Sequence, residues 1–106
     1  MAVVTVNPGA CGLSSHIKVE SNDLQTAVIE IDSECSYIKA MGNELKEVDG
    51  LAECFGKLGD GEVYKVAAKY CKHSCCAVPS AIIKGIEVAC GFALPKDVEF
   101  KISKSD

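Results

Sequence analysis

One change of hydrophobic rhythm constrains this chain more than any other feature. Up to Ile31 the apolar residues recur every second position. In Ser15-His16-Ile17-Lys18-Val19-Glu20, Ile17 and Val19 alternate with His16, Lys18 and Glu20. In Leu24–Ile31, Ala27, Ile29 and Ile31 share one face. A period of two belongs to strands whose two faces meet different surroundings. Ser21-Asn22-Asp23 between these runs is turn chemistry, so they are expected to form an antiparallel hairpin. An earlier branched run, Ala2–Val6, ends at the turn signal Asn7-Pro8-Gly9 and supplies another strand.

After Asp32 the period becomes three to four. Ile38, Met41, Leu45 and Val48 predict one helix, with Asp32 or Ser33 as its cap and Glu34 and Cys35 in its first turn. Asp49-Gly50 interrupts it. Residues 51–56 predict a short helical turn carrying Cys54, and 62–70 a further helix with Val63, Val66, Ala67 and Tyr70 inward. Pro79 suits the first turn of a last helix, because its missing N–H has no partner to lose there. Ile82, Ile83, Ile86, Ala89 and Cys90 form its apolar stripe, and Gly91 ends it. Val98, Phe100 and Ile102 alternate with charged residues and predict a final edge strand. Strands and helices are segregated along the chain. The expected fold is therefore α+β: one domain, residues 1–106, with a small, mostly antiparallel sheet of three to four strands and helices on one face.

Composition narrows the function. The net charge is −4 and no basic cluster stands out, so a phosphate-binding nucleic-acid surface is not expected. No apolar run reaches the roughly 18 residues of a membrane span. The opening MAVVTVNPGACG has neither the basic nor the long apolar region of a secretory leader, and the expected location is the cytoplasm. Gly59-Asp60-Gly61 lacks the lysine and hydroxyl of a phosphate loop, and no catalytic triad can be argued. An enzyme is not expected.

Seven cysteines are many for 106 residues, and an odd number cannot all pair within one chain. In a reducing compartment, metal binding, redox chemistry or burial remain. Cys11 lies in a glycine-flanked turn before a strand, Cys35 at a helix start, and Cys75 and Cys76 just ahead of another helix. Helix starts favour the thiolate, the form that ligates metals. Three such segments meeting at one end of the sheet would offer Cys11, Cys35 and Cys75, with Cys76 or His73 as fourth ligand, to zinc or an iron–sulfur unit. Cys90 and Cys54 read as packing residues, Cys71 equally as spare ligand or surface thiol, and His16 as solvated.

Ala10-Cys11-Gly12 before Ile17-Lys18-Val19, Cys35 opening a helix, and His73-Ser74-Cys75 leading to Ala81-Ile82-Ile83-Lys84 together resemble the U-type iron–sulfur cluster scaffold proteins. The cysteines stand 24 and 40 residues apart, close to that family's separations. The layout is also similar to the TSCPD-type domain. The resemblance spans residues 9 to 92. Leu13 replaces that family's aspartate, and Ser74 separates the histidine from its cysteine. It implies Cys11, Cys35 and Cys75 meeting at one edge of a small sheet, and protein partners in cluster or sulfur handling. The leading expectation is a metal- or cluster-binding carrier or assembly accessory. Another is a non-catalytic structural or interaction domain with reduced, unligated thiols. A third is a thiol-redox protein using Cys71, Cys75 or Cys76 at lowered pKa. An exposed edge strand also suggests a homodimer.

Overall fold

The computed structural model describes residues 1–105. Four strands form one antiparallel sheet in the order β1 (Ala2–Val6), β2 (Ser15–Glu20), β3 (Thr26–Ser33), β4 (Glu47–Asp49). Four helices cover one face: α1 (Ser36–Glu44), α2 (Gly50–Phe55), α3 (Glu62–Tyr70) and α4 (Val78–Ala89). The expected α+β domain is therefore observed.

The strand alternation sorts residues as written in the sequence. Ile17 and Val19 of β2 and Ala27 and Ile29 of β3 are buried against the helices. His16, Lys18, Glu20, Glu30 and Asp32 stand on the open face. α4 packs over β1 and β2, and α1 over β3. Ile82 and Ile86 of α4 and Met41 of α1 are fully buried and meet the strand residues in one core. Burial of each such side chain contributes about 1.5–3 kcal/mol of transfer free energy.

Three expectations are corrected. Neither Asp32 nor Ser33 caps α1: both belong to β3, Glu34 precedes the helix, and Cys35 is its N-cap. The helix over Ile38–Val48 stops at Glu44; Val48 lies on β4, paired with Ala27. Val48 is buried in either conformation, and its step of three from Leu45 reads as helical only if the backbone stays helical. The backbone turns extended at Leu45 instead, so that Lys46 accepts a bond from Ile29 N and Glu47–Asp49 lengthen the sheet. The alternating segment Val98–Ile102 is not a strand of this sheet. It has no regular secondary structure, pairs with no strand and is exposed. The sheet's fourth place is taken by β4, which follows β3 closely in sequence and needs only the short α1 crossover to reach it.

The remaining helices form as their termini predict. Asp49 caps α2 by accepting a hydrogen bond from Leu51 N at 3.0 Å. α3 has glycine at its N-cap and borrows its cap from elsewhere: the Glu53 carboxylate accepts from Glu62 N and Val63 N at 2.7 and 2.8 Å. Pro79 sits in the first turn of α4, and Gly91 follows its end with φ of +78°. Among the described residues, no helix is long and apolar enough to cross a membrane.

Candidate functional site

The sheet register defines two ends. At one, Val6 faces Ser15 and Ser15 faces Ser33; the 7–14 loop and the start of α1 leave from there. At the other, Thr26 faces Asp49, and Cys90 at the end of α4 lies beside Gly50. Between them Gly85 rests against Val4 and Val19. α4 therefore begins at the first end, and so does the 71–77 connection that precedes it. Three segments distant in sequence share this rim: the loop with Cys11, the junction with Cys35, and the connection with Cys71, His73, Cys75 and Cys76.

Serines and one carboxylate build the rim. The buried hydroxyls of Ser15 and Ser33 share a hydrogen bond of 2.8 Å. Ser33 Oγ also accepts from Cys35 N at 3.0 Å, which fixes the backbone at the N-cap of α1. Glu34 clamps the neighbouring loop. Its carboxylate accepts from Ser14 N at 2.8 Å and Ser14 Oγ at 2.9 Å, while its own N–H donates to Ser14 O at 3.0 Å. The Ser14 N–H, then its hydroxyl, hold the Glu34 carboxyl below its ordinary range. The two junctions carrying Cys11 and Cys35 are thus tied at their bases.

The third segment is tied through α1 and α3. Glu44 accepts from Lys69 Nζ at 2.7 Å and from the Tyr70 hydroxyl at 2.9 Å. Lys72 lies over the Tyr37 ring, 5.6 Å from its centre. Between these links sits Cys71, the C-cap of α3. The connection then turns, with Cys76 N donating to His73 O at 3.2 Å.

All seven cysteines are free. Cys35, Cys71 and Cys76 are half-buried and pack against the core. Burial pushes the Cys71 thiol up to about 11; the neighbouring Cys76 thiol and that of Cys35 add to the rise. Cys71 thus lies near both Cys76 and Cys35. Cys11, Cys75 and His73 stand exposed at the same end of the domain. Cys54 and Cys90 lie elsewhere. Cys90 is buried in the core as expected, and Cys54 is half-buried, its thiol also pushed up to about 11, chiefly by burial. His16 is exposed on the open sheet face, within 3.4 Å of the Thr5 hydroxyl.

Cys71 is the residue that sequence reasoning left undecided. Its only signal is its place at a helix end, five residues before Cys76. Its raised pKa is the reverse of what a nucleophilic redox thiol needs, because the thiolate is the attacking species. The same setting suits a ligand, since a bound cation stabilises the thiolates that burial and mutual repulsion disfavour. Among the described residues, no three His, Cys, Asp or Glu side chains form a group that could hold a metal ion as they stand.

Residues 2–102 match the model of a family of unknown function, DUF6951. No curated protein and no solved structure matches the chain.

Proposed function

The chain belongs to the DUF6951 family, whose function is unknown, and from that premise we propose that it binds a thiophilic metal ion or an iron–sulfur cluster. The observation that carries this reading is the placement of Cys71 and Cys76, on one connection, near Cys35 at the start of α1, all three half-buried against one edge of the core. Three half-buried sulfurs would be a donor set for zinc or an iron–sulfur unit. The exposed Cys75, Cys11 and His73 of the same rim are the candidates for the remaining positions. Cys75 and His73 share the connection that carries Cys76, so a modest shift of that segment changes which of them completes the set.

A half-exposed rim favours a carrier or assembly accessory over an enzyme. A metal held partly by side chains on solvent-facing loops can be passed to another protein's thiols by ligand exchange, whereas a structural zinc site is closed. The partners would be proteins that supply or accept the metal, cluster or sulfur. Seven unpaired thiols suit the reducing cytoplasm, where this role would be performed.

Protein purified without oxygen tests the reading through its metal-to-protein ratio and absorption spectrum. We expect a bound metal at a fixed stoichiometry, and Cys35→Ser should release most of it. Metal-free protein whose fold and thiol count are unchanged by added zinc or iron and sulfide would overturn the proposal. That result would favour the reading as a non-catalytic interaction domain with unligated thiols, which fits the absence of a preformed three-ligand group among the described residues.

A further inference from the structure

The segment after α4 has the pattern of a strand and no strand to pair with. Val98, Phe100 and Ile102 are 60, 76 and 93% exposed, and the chain from Leu94 onward has no regular secondary structure. Glu99 and Lys101 alternate with them in sequence, their charged groups 3.5 Å apart. Drawn out as a strand, the segment would present one apolar and one charged face.

The domain has a matching vacancy in its sheet. β1 is an edge strand: it pairs only with β2, so one row of its backbone N–H and C=O groups faces outward. β1 is five residues long, as is the segment from Val98 to Ile102. Beside β1, on the helix-covered face, Val4 of the strand and Ala81 and Val88 of α4 are only half-buried. A strand added to β1 with its apolar side toward the helices would cover them and leave Glu99 and Lys101 on the open face, alongside the charges of β2.

The chain's own tail starts from the wrong side of the domain to fill this place. Phe92 packs edge-on against Phe55 of α2, with ring centres 5.1 Å apart, and Phe92 N and Ala93 N donate to Glu87 O. α2 lies on the β4 side of α4, and β1 is the opposite edge of the sheet. The tail's root is therefore fixed away from its own β1, and its apolar residues remain exposed.

We propose that residues 98–102 of one copy add as a fifth strand to β1 of a second copy, and that the exchange is reciprocal. Main-chain hydrogen bonds to the open edge hold the strand, and burial of Val98, Phe100 and Ile102 sets its facing. Reciprocity gives a closed two-fold dimer and covers both free edges at once, which removes the hazard of an unprotected strand. This surface is separate from the cysteine rim and is independent of what the rim binds.

The mass of the full chain in solution, measured by light scattering over a dilution series, is the first test. Wild type should show twice the 11.2 kDa chain mass. Phe100→Lys, a change at a position exposed in the single chain, should give a folded monomer with unchanged circular dichroism. Contacts between Phe100 and β1 should appear in spectra of mixed isotope-labelled and unlabelled protein, filtered for contacts between copies. A wild-type monomer at several hundred micromolar would overturn the proposal. So would a dimer indifferent to Phe100→Lys, or Phe100–β1 contacts found only within one copy.

Discussion

At the scale of single residues, the thiols divide by their surroundings. Cys54 and Cys71 are both pushed up to about 11 from an ordinary value of 9.0, burial being the main cause. Such a group holds its proton more tightly folded than unfolded. Its contribution to stability is intact below about pH 9 and is lost as pH rises toward 11. Denaturant melts of metal-free protein should therefore weaken across that window, and Cys71→Ser should flatten part of the slope. A slope unchanged by that substitution would contradict the assigned surroundings of Cys71. Much of this division was open to reading from sequence. Cys90, on an apolar stripe, read as a packing residue and is buried. Cys71 was not legible, because Cys35 is distant in sequence and a helix end does not say whether the chain beyond it turns back to bring Cys76 close. Ser15 and Ser33 were equally silent: they occupy inward strand positions, and only their mutual hydrogen bond makes two buried hydroxyls tolerable there.

At the scale of elements, termini are what the sequence marked least well. Pro79 and Gly91 frame α4 because each has a backbone reason to stand where it does. α1 has no side-chain cap and no glycine stop, so apolar spacing alone carried its reading past Glu44 into β4. Local spacing cannot distinguish a helix that continues from one that breaks to join a sheet, when both bury the same residues. The junction after β4 leaves no room for a side chain. Gly50 donates its N–H to Gln25 O, and a side chain added there would meet Gln25 O at 2.9 Å as well as the Cys90 sulfur. The carbonyl belongs to the backbone and cannot swing aside. Gly50→Ala should cost about 1–3 kcal/mol through overpacking, measured by chemical denaturation. A neutral result would mean that α2 can move off the end of α4 freely.

For the whole molecule, segregated periods of two and three to four were sufficient to give an α+β domain, with helices on one side of the sheet. They were not sufficient to place Val98–Ile102, whose alternation fits a strand while its own domain offers it no neighbour. The same topology that sends α4 back along the sheet brings the 71–77 connection to the loop of Cys11 and the start of α1. Sequence order predicted that meeting for Cys11, Cys35 and Cys75, with Cys76 or His73 as fourth ligand. The structure places Cys71 near Cys35 and Cys76, and Cys75 remains exposed with Cys11 and His73 at that end. We propose that this end of the molecule is a sulfur-rich ligand set. Extended X-ray absorption at the metal edge of protein loaded with one equivalent of zinc counts the ligand atoms directly. The account predicts at least three sulfur scatterers at about 2.3 Å, falling by one in Cys35→Ser. A first shell made only of nitrogen and oxygen, or no zinc retained after desalting, would contradict it.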